Sequence, residues 1–309
     1  MANGTLAPSA PALQSISTSN TGLVLQKGDN DTKHIAGGKK GGTGEPVREL
    51  QEALAAVGVF KFTPDGDFGG GTHDAVRRFQ WYLNNMSHRL QVPPATDPSL
   101  GTIVPLSAPS GIKVDGRATV TVINALLAWA AGAFVTTSPL VKLGLLLLVN
   151  TDVSAEFTTL SYPSARQSEV LVHEDFVDTM TLLDAEAKAA NVKLRINQTF
   201  RVQNIPVKGA VVPPASKSQH LIGHAVDLNI VDGATVNLSS MFKTGKETAA
   251  AKAFVKAVKK KGVRWGGDFS PKDPPHFDDS VPPGSDAYNM AFYFAQNVYA
   301  ARHPLREAV

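Results

Sequence analysis

Three side chains in the second half of the chain have the types and the spacing of a zinc site. His220 and Asp227 flank Gly223 in the segment that begins at Ser218, and His276 follows two consecutive prolines. A catalytic zinc ion needs three protein ligands, usually imidazole or carboxylate, and a fourth position open to water. Because the chain contains no cysteine, any metal must be held by histidines and carboxylates. We therefore predict that His220, Asp227 and His276 bind one zinc ion.

Hydrolysis at such a site also needs a group that takes a proton from water and passes it to the leaving amine. Asp273 lies three residues before His276 and outside the proposed ligands, so we predict this role for it. A carboxylate in a turn before prolines is the alternative, and Asp278 is then the next candidate for the base. His224, four residues after His220, could be a fourth ligand, but a pocket-lining or hydrogen-bonding role is favoured.

The segment from Ser218 to Asp227 carries a known signature at all of its fixed positions. It has the form Ser-x-His-x-x-Gly-x-Ala-x-Asp, and Asp273 to His276 has the form Asp-x-Pro-His. Both motifs resemble those of zinc peptidases grouped as D-Ala-D-Ala carboxypeptidases, D-Ala-D-Ala dipeptidases and L-alanyl-D-glutamate endopeptidases. The resemblance implies that His220, Asp227 and His276 bind zinc and that Asp273 is the general base.

The same resemblance points to residues that contact the substrate. It implies that Arg201 follows a strand and faces the substrate, where its guanidinium would bind a carbonyl oxygen, an oxyanion or a stem-peptide carboxylate. An ordinary surface ion pair is the alternative for this arginine. Ser218 and His224 are expected to bind substrate beside the metal. An Asp base favours the endopeptidase branch, which includes phage lysins, and Asp278 stands where many members have Glu.

A second resemblance lies nearer the N-terminus. Leu-Gln, Asp-Gly-x-Phe-Gly-x-x-Thr and Ala-Val-x-x-Phe-Gln elements between Leu50 and Gln80 resemble the three-helix peptidoglycan-binding repeat. Most of these positions are packing or turn residues, so they identify the fold better than they identify contacts with glycan. Val114 to Thr119 again places Asp-Gly before an apolar helix. A degenerate second repeat from about residue 112 could explain this, and so could common turn chemistry.

Composition and periodicity divide the chain into four parts. Residues 1–44 are rich in Gly, Ser, Thr, Asn and Pro and indicate a flexible arm. Residues 45–140 predict the helical peptidoglycan-binding domain, residues 141–164 a linker, and residues 165–309 the peptidase domain. We predict an α+β peptidase domain with a small antiparallel sheet and flanking helices, preceded by a small all-α domain of three helices.

The whole-chain composition is that of a globular protein. The chain has 309 residues, 43% hydrophobic and 18% charged, which allows two domains with separate cores. Its formal net charge of +3 favours an anionic surface without choosing among cell wall, membrane and nucleic acid. Between Arg117 and Lys142 lie 24 residues without a charge. Polar residues at both ends of this run favour a buried helix over a membrane span.

These patterns together predict a peptidoglycan hydrolase that acts as an endolysin or antibacterial effector. We expect a zinc-dependent endopeptidase of the L-alanyl-D-glutamate type. A D,D-carboxypeptidase and a non-catalytic cell-wall-binding or phage structural protein are the alternatives. No nucleic-acid-binding motif is present, because Lys259 to Lys261 is a helix-end cluster without aromatic partners. The first residues lack the basic and apolar regions of a signal peptide, so we expect synthesis in the cytoplasm and access to the wall by lysis or specialised export.

Overall fold

The computed structural model describes residues 24–33, 44–85, 111–132, 134–136, 138–143, 148–154, 170–204 and 215–298, together with positions 12 and 14 and the backbone of three strands at 35–36, 39–40 and 306–308. The chain forms two compact units, Met1–Thr137 and Ser138–Val309. The first unit is built mainly from helices and the second from helices and small sheets. The predicted fold class is therefore confirmed.

Three helices pack together in the described part of the first unit. They are α1 (Pro46–Ala56), α2 (Gly70–Asn85) and α3 (Val120–Ala131), and a short antiparallel pair of strands, β1 (Ile35–Ala36) and β2 (Lys39–Lys40), precedes them. Apolar side chains recur at helical spacing on the inner faces and are buried: Val47, Leu50, Leu54, Val76, Phe79, Leu83, Val122, Leu126 and Trp129. Trp129 packs edge-on against Phe79 and Tyr82, with ring centroids 5.3 and 5.7 Å apart.

Two glutamines hold the loops that precede α2 and α3. The side-chain oxygen of Gln51 accepts the backbone N–H groups of Asp65–Gly66, both at 2.9 Å. The side-chain oxygen of Gln80 does the same for Asp115–Gly116, at 3.1 and 2.9 Å. The Asp-Gly segment near residue 112 is thus a second turn-and-helix element, and its helix α3 packs on α1 within the same unit.

Part of the predicted flexible arm is packed against this helical unit. Leu25 is fully buried and exchanges two backbone hydrogen bonds with Ala118, at 3.1 and 2.9 Å. The carboxylate of Asp31 accepts the N–H groups of Val47 and Arg48 at the start of α1, at 3.1 and 2.8 Å. The prediction is corrected for residues 24–33, because their polar residues satisfy backbone groups of the unit. Residues 1–23 lie outside the described part except for positions 12 and 14.

The residues that the structure describes in the second unit form two sheets. Its strands are β3 (Leu140–Leu143), β4 (Thr151–Val153), β5 (Val170–His173), β6 (Lys193–Gln198), β7 (Ala225–Asp232), β8 (Thr235–Asn237), β9 (Arg264–Trp265), β10 (His276–Asp278) and β11 (Arg306–Ala308). The larger sheet has the order β4-β6-β7-β10-β9, with β8 also paired to β7. Its neighbours are antiparallel except for the parallel pair β4 and β6. The smaller sheet has the order β11-β3-β5.

The helices in the described part of the second unit are α4 (Val177–Ala189), α5 (Ser239–Thr244), α6 (Ala249–Lys260) and α7 (Asp286–Tyr293). Helices α4 and α6 pack on each other and on β6 and β7. The core between them includes Met180, Leu183, Leu194, Ile196, Leu228, Phe254, Val258 and Phe277. This core supports the neighbouring strands β7 and β10.

The predicted linker, residues 141–164, contains structure that belongs to the second unit. Strand β3 pairs with β5, and strand β4 pairs with β6. The linker interpretation is corrected for these strands, since runs of three or four residues are too short to show a clear period. Residues 155–164 lie outside the described part.

The uncharged run that precedes β3 contributes to α3. This helix has 12 residues and buries Ile123 and Leu126 in the first unit. Among the described helices, none combines the length and the apolar character that crossing a membrane requires.

Candidate metal centre

A short 3₁₀ helix, Gln219–Ile222, positions His220. At its start the hydroxyl of Ser218 accepts the backbone N–H of His220 at 3.3 Å. At its end Gly223 has a φ of 75°, a left-handed conformation that favours glycine. A Cβ at Gly223 would also lie 2.5 Å from the backbone nitrogen of His173. The serine and the glycine of the motif therefore shape the turn that carries the first histidine.

Two paired strands position the other predicted ligands. Asp227 on β7 lies directly opposite His276 on β10 in the antiparallel register. Side chains of directly opposite residues point to the same face of a sheet and lie close together. The sheet thus brings together two residues that are 49 positions apart in the chain.

The three predicted ligands meet at one point. His220 Nε2 lies 3.1 Å from both Asp227 Oδ1 and His276 Nδ1, and His276 Nδ1 lies 3.2 Å from Asp227 Oδ1. Tetrahedral coordination with bonds of about 2.0–2.2 Å separates ligand atoms by about 3.3–3.6 Å. Two imidazole nitrogens and one carboxylate oxygen at nearly this spacing fit a divalent ion such as zinc.

The outer nitrogen of each imidazole has a hydrogen-bond acceptor. His220 Nδ1 lies 2.7 Å from the carbonyl oxygen of Thr199, and His276 Nε2 lies 2.9 Å from Asp278 Oδ2. Because both partners can only accept, these nitrogens carry the N–H. The nitrogens that face Asp227 are then the ones that can offer a lone pair to a metal, which in His276 displaces a proton.

The electrostatics of the pocket favour a positive charge. Burial raises the pKa of Asp227, but the charges and hydrogen bonds of His220 and His276 outweigh it and hold this pKa below its ordinary value. Burial lowers the pKa of His276, but hydrogen bonds to Asp227 and Asp278 outweigh it and raise this pKa to about 9. A site that stabilises an imidazolium so strongly also suits a metal cation.

Asp273 lies beside the ligands with its carboxylate free. Its backbone N–H donates to the carbonyl of Gly266 at 2.7 Å, and its own carbonyl accepts the N–H of His276 at 3.0 Å. No residue in the described ranges hydrogen-bonds or pairs with the carboxylate. Burial, and then the charge of Asp227, raise the pKa of Asp273 above its ordinary value. A half-buried carboxylate with a raised pKa is suited to accept and return a proton.

The loop that carries Asp273 is held by Trp265 and Gly266, whose importance the sequence did not reveal. The indole N–H of Trp265 donates to the carbonyl of Pro274 at 2.7 Å. A Cβ at Gly266 would lie 2.1 Å from the carbonyl oxygen of Asp273. Only glycine allows this approach, and the signal in the sequence was no more than two consecutive glycines after a tryptophan.

Arg201 is buried next to the ligands. Its backbone N–H donates to the carbonyl of His220 at 3.0 Å, and its carbonyl accepts the side-chain N–H of Gln296 at 3.0 Å. Its side chain makes no ion pair or hydrogen bond with another residue of the described ranges. Burial lowers its pKa, whereas Asp227 and Tyr288 raise it. A buried guanidinium in this situation can bind an anionic group of a substrate, and the surface ion pair considered from the sequence is wrong.

His224 and Ser218 have packing roles. His224 is 5% exposed, and its Nδ1 lies 2.7 Å from Asp279 Oδ2. Its ring packs against that of His173, with centroids 4.2 Å apart and the ring planes tilted by 37°. His224 is outside the ligand group, and the substrate contact predicted for it stays a prediction. Ser218 caps the turn of His220 through its hydroxyl, so its substrate contact also stays a prediction.

Asp278 is on the far side of His276 from the other ligands. It is fully buried and forms an ion pair with Arg264, with Oδ2 and Nη2 2.8 Å apart. It hydrogen-bonds the ring nitrogen of His276 that faces away from Asp227. Burial raises the pKa of Asp278, but the bonds from His276 and Arg264 outweigh it and lower this pKa. Asp278 is therefore wrongly placed to serve as the alternative base.

Comparisons with known proteins agree with both resemblances. Residues 213–279 match a family described as D-alanyl-D-alanine carboxypeptidase, a range that includes the three predicted ligands and Asp273. Residues 43–84 match a family described as putative peptidoglycan binding domain. Among solved structures, the crystal structure of Serratia marcescens L-Ala D-Glu endopeptidase ChiX shares 27% identity, covers 35% of this chain and 79% of its own, and has a TM-score of 0.26. No curated protein matches the chain significantly.

Proposed function

We propose that the second unit is a zinc-dependent endopeptidase that cuts stem peptides of bacterial peptidoglycan. The observation that carries the proposal is the group formed by His220, Asp227 and His276 beside two side chains without partners in the described ranges, Asp273 and Arg201. Three ligands, an available base and a buried cation are the parts that metal-assisted amide hydrolysis requires.

The side chains have separable tasks in this reaction. A bound zinc ion would supply a water of lowered pKa and would polarise the carbonyl oxygen. Asp273 accepts the proton of the attacking water and passes it to the nitrogen of the leaving amine. Arg201 holds negative charge on the substrate in a buried place where such a contact is strong.

The scissile bond is proposed to join L-Ala to D-Glu. In the stem peptide D-Glu continues through its γ-carboxyl, so its α-carboxylate lies beside this amide and can pair with Arg201. The Asp base supports this assignment through the resemblance to the endopeptidase branch. The family description matched by residues 213–279 makes a D,D-carboxypeptidase the second candidate. Its substrate also has a carboxylate next to the amide, on the terminal D-Ala, so Arg201 suits both.

The first unit is proposed to attach the enzyme to the wall. Its match to a peptidoglycan-binding family supports this role. Attachment to an insoluble substrate raises the effective concentration of a linked catalytic unit. We propose that the protein reaches the wall by lysis or specialised export, as an endolysin or antibacterial effector. A non-catalytic wall-binding protein would have no use for Asp273 next to three ligands.

The test combines metal analysis with digestion of purified sacculi. Mass spectrometry of the fragments distinguishes new D-Glu amino termini, expected for the endopeptidase, from the loss of terminal D-Ala. Asp273→Asn should keep zinc and lose about 10²–10⁴-fold in rate, because an amide cannot accept the proton. His220→Ala should lose both zinc and activity. Asp273→Asn with full zinc and a near-normal rate would exclude this base, and a zinc-loaded protein that cuts no sacculi would favour the non-catalytic alternative.

A further inference from the structure

The strand β10 connects the metal centre to a charged pair behind it. His276 and Asp278 are two positions apart, so their side chains are on the same face of the strand. Phe277, between them, points into the core and is fully buried. Asp278 is therefore directed at the outer nitrogen of His276, and their atoms are 2.9 Å apart.

The guanidinium of Arg264 binds the carboxylate of Asp278 through two of its nitrogen atoms. Arg264 lies opposite Asp278 in the pairing of β9 and β10. Its Nε is 2.8 Å from Asp278 Oδ1, and its Nη2 is 2.8 Å from Oδ2. The backbone N–H of Ser280 donates to Oδ1 at 2.8 Å as well. A planar fork of this kind sets the orientation of a carboxylate and not merely its charge.

The ring of Phe269 contacts both Arg264 and His276. The guanidinium carbon of Arg264 lies 4.9 Å from the centroid of the Phe269 ring. The same ring packs against His276, with centroids 5.6 Å apart. Arg264 and His276 thus share one aromatic neighbour as well as Asp278.

The geometry points to Arg264 as a positioning residue that sets the metal affinity of the centre through Asp278 and His276, without touching the metal. This inference rests on the proposed zinc centre. Asp278 accepts the Nε2–H of His276, which directs the lone pair of Nδ1 toward His220 and Asp227. Arg264 keeps Asp278 in the plane that this hydrogen bond requires. The outer nitrogen of His220 faces a backbone carbonyl instead. Of the two histidines, His276 is therefore the one whose orientation depends on another side chain.

The test measures zinc affinity in the full-length protein by competition with a chelator. Loss of an outer partner of a metal-binding histidine typically costs about 10–100-fold in affinity. Arg264→Gln should fall in this range, and the visible spectrum of the Co²⁺-loaded protein should change because the ligand geometry loosens. Arg264→Lys should lose less, since it keeps the charge but not the fork. If Arg264→Gln does not fold, Arg264→Lys still tests the inference.

A matched control removes a different ion pair in the same unit. Lys261 Nζ lies 2.6 Å from Glu186 Oε1, and Lys261→Gln should leave zinc affinity and the Co²⁺ spectrum unchanged. Wild-type zinc affinity and an unchanged spectrum in folded Arg264 variants would overturn the inference and leave the proposed function standing. Failure of the wild-type protein to bind zinc would instead overturn the proposed metal centre.

Discussion

Replacing Gly266 by alanine adds one methyl group at the closest contact of the loop that carries Asp273. Its Cβ would lie 2.1 Å from the carbonyl oxygen of Asp273 and 2.8 Å from the Cβ of His276. The backbone of Gly266 does not have a positive φ, so the conflict is steric and not conformational. The substitution therefore tests whether close backbone approach holds Asp273 in place.

The size of the expected effect follows from the distances. Ordinary contact between a Cβ and a neighbouring heavy atom begins at 3.4 Å, so a gap of roughly 1.3 Å has to open. The carbonyl of Asp273 cannot move alone, because it accepts the N–H of His276 and its residue donates to Gly266. A displacement of about 1 Å at a reacting group can cost about 10²-fold in rate. We expect kcat/KM to fall by about 100-fold or more.

The assay follows hydrolysis of a soluble stem peptide at saturating zinc, together with thermal unfolding and zinc affinity. Affinity should also weaken, since His276 is displaced with the loop. Gly70→Ala is the matched control, because a Cβ at Gly70 meets nothing within 4 Å, and it should leave kcat/KM unchanged. A folded Gly266→Ala protein with normal zinc affinity and near-normal kcat/KM would refute the argument that this contact positions Asp273.

Three further predictions concern other parts of the molecule. Gln51→Leu should destabilise the first unit by about 1–3 kcal/mol in chemical denaturation, because two backbone N–H groups lose their acceptor; unchanged stability would contradict this. A protein without residues 1–137 should still cut soluble stem peptides but sediment less with sacculi, and a folded truncation without peptide cleavage would show that the first unit completes the site. Since the pKa of His276 is about 9, it is protonated at pH 7, and zinc must displace that proton. Calorimetry of zinc binding in buffers of different ionisation enthalpy should detect the release of about one proton from His276. This release should decline as the pH rises through about 9. Proton release that is independent of pH in this range would count against His276 as a metal ligand.

Two parts of the chain have structure that their local sequence patterns did not predict. The segment 24–33 has the composition of a loop, yet Leu25 and Asp31 complete the helical unit through partners far along the chain. Strands β3 and β4 are too short to show a period and exist because β5 and β6 provide their hydrogen bonds. In both cases the stabilising contacts join distant positions, so no window of sequence contains both partners.

From the sequence by itself we predicted the ligand set, the base and the order of the two units, and the structure brings the three predicted ligands together. Zinc chemistry admits few residue types, and the motifs place His220, Asp227, Asp273 and His276 at spacings that chance seldom produces. Only the tertiary structure decided what supports them. Asp278 is the partner of His276 because Arg264 faces it from the neighbouring strand, and Gly266 leaves no room for a side chain because the loop of Asp273 passes within contact of its backbone. Such roles depend on distances between side chains that the fold brings together, and the order of residues along the chain does not contain those distances.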